Sequence, residues 1–410
     1  MSTITYSHAA LALVGALALD MFLVFGAAAD TTSVFFLPLA ERYHAHRAAI
    51  SSLYAMMAIA IGLSAPIAGI LLDRMLPRQV IVAGILFVTV GFLAAGSIRS
   101  LDTLVAAYAL VGIGIGFATL TAVNKTVSNW FGERNGLVTG VIVTGSSLGT
   151  AAMTPILHHT IAAHGVRAGY LVLAGAISLI ALPAVVCFVR PPQPGLRDTR
   201  AMTRSEQGLE VREALASRSF WLLALARGAD SFAMGGVKAH LIPCFVDMRL
   251  RHPAWLMSAL FLLGSCGRIP FGLLADRIGA RYALAIGLLC SAMGLAMLAR
   301  ESQSIALLAG FFLLFGPTLG VSMPLALNLA TSSFGRRRLG TLTGFQMIAA
   351  APVEAAGAIV AGAIFDRSGS YSMALTIFAI VQLAGAVSAL GCKPYAAQES
   401  PTARLGISVS

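Results

Sequence analysis

This chain is expected to be an all-α polytopic membrane protein, with twelve transmembrane helices arranged in two six-helix halves. Three observations lead there. Of its 410 residues, 58% are hydrophobic and only 11% charged, where a soluble domain carries roughly 25% charged residues. The apolar residues fall into repeated runs of about 20, the length a helix needs to cross a hydrocarbon core. A compact turn of glycine, acid and base occurs twice, at Gly69–Arg74 and Gly272–Arg277.

In chain order, the apolar runs place spans near 9–38, 49–72, 79–98, 103–128, 135–157 and 167–189. A polar stretch, 190–218, follows, with Pro191, Pro192 and Pro194 among mixed charges, as expected of a cytoplasmic linker. Six more spans lie near 219–246, 254–275, 281–299, 304–333, 339–364 and 371–391. The expected organisation is therefore an N-terminal half at 1–189, the linker at 190–218, a C-terminal half at 219–391 and a cytoplasmic tail at 392–410. The first run is long enough to span and contains Asp20, so it is read as a helix and not as a cleavable signal.

A net charge of +11 would suggest a nucleic-acid partner in a soluble chain. Here the basic residues sit between apolar runs, where they set orientation instead, and no nucleic-acid partner is expected. The loops on the side of the linker and both termini carry Arg74, Arg78, Arg134, Arg190 and the Arg336–Arg338 cluster among others. They outnumber the basic residues of the opposite loops by about two to one, which makes that side cytoplasmic. The five cysteines are scattered without ligand spacing, so neither a disulfide framework nor a metal site is expected. No nucleophile–base spacing or phosphate loop stands out, and the chain is expected to be neither an enzyme nor a cofactor binder.

The two turns end the second helix of each half. Gly69, Asp73 and Arg74 recur as Gly272, Asp276 and Arg277. Glycine permits close helix approach, and the acid–base pair suits a short turn that cross-links helix ends. The pattern resembles the cytoplasmic signature of the major facilitator superfamily. That resemblance implies a major facilitator fold working by alternating access, with these six residues as gating parts and the substrate held near the midplane. Further stretches resemble the monocarboxylate transporter and oxalate:formate antiporter branch. They are Ser33–Tyr43 with Arg47–Ser51, Asn129–Gly136 with its Trp130-Phe131 and Arg134, and Pro352–Tyr371 with Asp366-Arg-Ser-Gly369-Ser-Tyr371.

A lone arginine, Arg268, lies inside the eighth apolar run. An arginine centred in hydrocarbon costs about 2.5–3.5 kcal/mol on insertion scales, so it has a partner or a task. A guanidinium offers planar donors that suit a carboxylate and stays charged. The resemblance implies the same role, because members of the branch carry a substrate-pairing arginine there. The structural alternative is that Arg268 pins two helices. Two departures from the branch matter. Gly264 stands where animal members have an aspartate, and Asp30 falls where they have a lysine, so Asp30 becomes a candidate acid facing Arg268. The alternative is an Asp30 that faces water. Gln346 occupies the position of a second cation in oxalate-exchanging relatives, which implies a singly charged substrate.

Other polar residues in the spans are weighed in the same way. Arg227 and Asp230, spaced i, i+3, can pair locally, with Lys238 on much the same face unless Gly235-Gly236 bends the helix. Asn124 and Asn328 are candidate substrate contacts on repeat-related helices. Glu354 is a candidate proton carrier or a packing partner, and Asp20 is read the same way. The function these residues imply is secondary active transport of a small organic anion, expected to be a monocarboxylate, across a bacterial-type inner membrane. Transport would proceed by a monomer with proton symport or anion exchange. The rival reading is a proton-driven exporter of apolar or cationic compounds.

Overall fold

The computed structural model describes residues 8–131, 135–191, 208–335 and 339–393. Gly132–Arg134, the linker residues Pro192 and Pro194, the Arg336–Arg338 cluster and the tail from residue 394 lie outside them. Twelve long helices follow in order. The first half comprises α1 (His8–Tyr43), α2 (Arg47–Arg74), α3 (Pro77–Ser97), α4 (Leu101–Phe131), α5 (Asn135–His164) and α6 (Val166–Phe188). The second comprises α7 (Arg218–Asp247), α8 (Pro253–Ile278), α9 (Ala280–Leu298), α10 (Ile305–Phe334), α11 (Leu339–Ser368) and α12 (Ser372–Leu390). Ends differ from the apolar runs by a few residues because several helices continue past the apolar stretch. α5, for example, runs through His158 and His159 to His164.

Ten of these helices are long and apolar enough to cross a membrane, and bent α10 makes an eleventh. The remaining helix, α7, has 30 residues but carries Arg227, Asp230, Lys238 and His240 along its length. It can afford them because protein surrounds it: Asp230 and His240 are buried. Ends follow local chemistry. Ser100 and Ser217 cap α4 and α7 by accepting the Thr103 and Phe220 N–H groups, and Pro77 and Pro253 open α3 and α8, where no N–H is needed.

Among the described residues three helices are broken part-way along, and α6 carries a π-segment, Ile177–Ala181. α1 passes from α-helix (His8–Asp20) through a π-segment (Met21–Ala27) and a turn to Thr32–Tyr43. α4 breaks at Thr119. α10 breaks between Phe315 and Ser322 with a 44° bend. Backbone groups freed inside a bilayer must find partners. Accordingly, Thr150 of α5 donates to the Gly26 carbonyl of α1 at 3.0 Å.

The halves have equivalent internal packing. On α5, a side chain at Gly149 would overlap the Phe22 carbonyl of α1, and on α11 one at Gly357 would overlap the Phe232 carbonyl of α7. Between the halves, α2 packs on α11, α5 on α8, and the end of α1 on α7. Residues 208–217 belong with the second half. Leu209 N–H bonds to the Phe334 carbonyl at 2.9 Å, and a short helix, Val211–Ala216, buries Ala214 beside Phe220 and Phe334.

Candidate substrate site

Arg268 sits where α8 meets the break in α10. Gly264 and Gly267 let the backbone around Pro317 and Leu319 come so close that a Cβ at either glycine would overlap it. This explains why no acid stands at position 264. Gly320, at φ +77°, turns the chain so that its backbone lies against the guanidinium. Across the interface, Arg268 Nη2 donates to Ser147 Oγ of α5 at 2.9 Å. Its Nε and Nη1 are buried and have no protein partner.

Asp30 follows the π-segment of α1 and is 6% exposed. Its carboxylate meets Lys238 Nζ of α7 at 3.0 Å, so its direct partner is Lys238 and not Arg268, whose charge it nonetheless feels. Glu354 of α11 accepts from Tyr54 of α2 at 2.7 Å and lies within electrostatic reach of both Asp30 and Lys238. Helices from both halves thus bring two acids and two bases together at mid-depth. α7 runs uninterrupted through Gly235-Gly236. These glycines do not mark a bend; they admit the Glu354 backbone and the Phe378 ring.

The other candidates have different direct partners, although Asp230 lies within electrostatic reach of Lys238. Arg227 and Asp230 pair at 3.4 Å, and Asp230 also accepts from Ser322 at 3.0 Å and Gln382 at 3.4 Å, a network within the second half. Asn124 and Asn328 are exposed on the linker-side segments of α4 and α10. Gln346 is buried in α11 with its Nε2 unpartnered. Of the repeated turns, Asp73 bonds Lys125 of α4 at 3.0 Å, while Arg74, Asp276 and Arg277 are exposed. Gly69 makes only ordinary contact with Thr121, and Gly272 has open space where a Cβ would be. Neither glycine serves a forced close approach in this arrangement.

A second inter-half site, which sequence reasoning missed, closes the face opposite the linker. Arg47 forms a two-point ion pair with Asp247, donates to Tyr371 Oη at 2.7 Å and stacks 3.5 Å over the Phe365 ring. Asp366 caps the first turn of α2 from the other half, accepting the Arg47 and Ala48 N–H groups at 2.9 Å each. Beneath them, His240 bonds Ser51 at 2.9 Å and Tyr371 at 2.8 Å. The Arg47–Ser51 and Asp366–Tyr371 stretches had stood out in the sequence, but nothing in it showed that they meet.

Two six-helix halves clasped around a charged centre, with interrupted helices beside it, are the architecture of a membrane transporter. A model of the Major Facilitator Superfamily matches residues 19–245 and 249–406, and the chain belongs to that family. It is a multi-pass membrane transporter of a small molecule and not an enzyme. It is 24% identical over 350 residues to an uncharacterized MFS-type transporter, YcxA, of Bacillus subtilis (84% of this chain, 85% of the relative). It is 26% identical to the oxalate:formate antiporter of Oxalobacter formigenes (60% and 58%) and 24% identical to monocarboxylate transporter 12-B of Danio rerio (83% and 78%). A solved bacterial homolog of the human lysosomal transporter Spinster shares the fold, with a TM-score of 0.70 at 13% identity over 94% of this chain and 95% of that one. The superfamily and branch implied by the motifs are those of its relatives.

Proposed function

We propose that this protein carries a small organic anion, a monocarboxylate, across the cell inner membrane by alternating access, with Arg268 binding the carboxylate. The observation that carries the reading is the half-used guanidinium. Arg268 is half-buried, but its Nε and Nη1 are buried and unpartnered, an arrangement that costs free energy unless a ligand fills it. Its likeness to an oxalate:formate antiporter and a monocarboxylate transporter supports the same substrate class.

Charge balance extends the argument. Asp30 and Glu354 offset Lys238 and Arg268, so a bound monoanion leaves the centre one charge negative. A proton on Glu354 or Asp30 restores neutrality of the loaded centre, whereas in exchange against a second anion both legs carry the same charge and the net turnover is electroneutral. The basic linker-side loops put that face in the cytoplasm. With Arg47, Asp247 and Asp366 sealing the opposite face, this is the cytoplasm-facing state. The Asp73 and Asp276 turns serve as the gate that forms when the carrier turns over, and Asn124, Asn328 and Gln346 line the route. The carrier works as a monomer.

The test is uptake and counterflow in proteoliposomes across pyruvate, lactate, formate and oxalate, with and without a pH gradient. Uptake of a monocarboxylate that is lost in Arg268→Ala is the expected result. Intact transport by Arg268→Ala, with no carboxylate competing, would overturn the reading.

A further inference from the structure

Asp20 is the one buried carboxylate of the described membrane helices that has no partner. It has 0% exposure, and neither oxygen has a hydrogen bond or ion pair. The first segment of α1, which ends at Asp20, packs on α5 and α6. The titratable groups of those helices are His158, His159 and His164 on α5 and Arg167, Tyr170 and Cys187 on α6. None of them bonds to Asp20. On its own helix, Asp30 is committed to Lys238.

An ionised carboxylate so placed costs several kcal/mol, and proteins avoid that by neutralising it. A structural acid would be expected to donate its proton to a carbonyl, but no such bond is made here. The backbone around it is also unusual. Asp20 immediately precedes the π-segment Met21–Ala27, and the second π-segment of the first half, Ile177–Ala181 in α6, packs against both parts of α1 beside it. Single π-turns inside α-helices occur frequently at functional sites. Two of them meeting next to an orphan carboxyl point to a site, not to filler.

We propose that Asp20 is a proton-binding site of the transport cycle, separate from the central cluster and loaded in the state described here. It rests on the reading of a proton-coupled carrier and adds where a proton is stored. The site is on the first half alone, so the proton does not compete with substrate for Arg268 or Lys238. α1 also forms part of the inter-half contact, with Ser33 accepting the Ile242 N–H of α7 at 3.0 Å. Separation of the halves therefore disturbs the helix that holds Asp20, and that movement rehydrates the carboxyl and releases its proton.

The test uses the full-length protein in phosphatidylethanolamine–phosphatidylglycerol vesicles, treated with dicyclohexylcarbodiimide over a series of pH values and mapped by mass spectrometry. The reagent adds to protonated carboxyls in apolar surroundings and needs no transport substrate. The expected result is an adduct on Asp20 whose yield falls as the pH rises. No adduct on Asp20, or a yield that does not change with pH, overturns the proposal. In parallel, Asp20→Asn should lose pH-gradient-driven accumulation of lactate, and full accumulation would also overturn it. If wild-type protein moves neither lactate nor pyruvate, formate or oxalate, the carboxylate reading fails while the labelling still decides on Asp20.

Discussion

The far-face latch gives the most direct test of alternating access. Each of its parts joins the two halves, so all are lost when that face opens. The Arg47–Asp247 pair is two-pointed but partly exposed, with side-chain exposures of 15% and 33%. After discounting for solvent it contributes about 0.5–1 kcal/mol. Stacking of Arg47 on Phe365 adds about 0.5–1 kcal/mol. Asp366, which accepts two N–H groups at the start of α2, adds about 1 kcal/mol as a helix cap. The double variant Asp247→Ala, Asp366→Ala removes the pair and the cap, about 1.5–2 kcal/mol, or about 10- to 30-fold in the ratio of open to closed molecules. Ser33 is fully buried between α1 and α7, so a cysteine there reports opening. Its reaction with an impermeant maleimide, added on the latch side in a background lacking the native cysteines, scales with the open population even when that population is small. The expected acceleration is about 10- to 30-fold. A rate within about two-fold of the parent would refute the latch as the element that holds this state.

Three further outcomes follow from the packing. Arg268→Met should abolish carboxylate transport yet leave thermal stability unchanged or higher by about 1 kcal/mol, since it removes two buried unsatisfied nitrogens; a clear fall in melting temperature would favour a helix-pinning role. Lys238→Met alone should destabilise the protein by about 3–5 kcal/mol by stranding Asp30, whereas pairing it with Asp30→Asn should recover most of the loss; additive losses in thermal unfolding would count against the pair. Gly149→Leu should prevent α5 from seating on the Phe22 carbonyl and cost more than about 3 kcal/mol, so correctly folded protein on size-exclusion chromatography would contradict the packing described.

How much of this was legible in the sequence depended on the range of the signal. Helix number and order came through because each span is a local run of apolar residues about 20 long. The bend in α10 had a local marker, since Gly316, Pro317 and Gly320 cluster there. The π-segment of α1 had none, because Met21–Ala27 is as apolar as any helix and contains a single glycine. Arg268 stood out as a lone cation, but its contact with Ser147 depends on how α5 packs on α8 across the two halves. Asp30 was set opposite Arg268 by alignment with the family, and Lys238 is closer because α7 continues straight past Gly235-Gly236. The latch is the extreme case: Arg47 and Asp366 are separated by more than 300 positions, and no periodicity links them.

The central charges become intelligible through the repeat. α1 packs on α5 as α7 packs on α11, each through glycine meeting backbone: Gly26 on the Ser146 carbonyl, Gly235 on the Glu354 carbonyl. Asp30 lies four residues after Gly26, and Lys238 three after Gly235, so the two occupy corresponding heights on repeat-related helices. The two positions are neighbouring, not equivalent, in the repeat, and like charges at them would repel. Opposite charges there instead hold the halves together. Divergence between the halves put Glu354 on α11 and left Ser147 on α5 to meet Arg268. The repeat therefore supplies two equivalent packed frames, and the function resides in the few positions where they differ. Those positions are coupled by charge, so a ligand that satisfies Arg268 changes the field felt by Asp30 and, through it, the Lys238 contact that joins the halves. Substrate binding can thus alter the strength of the inter-half contact without touching the latch.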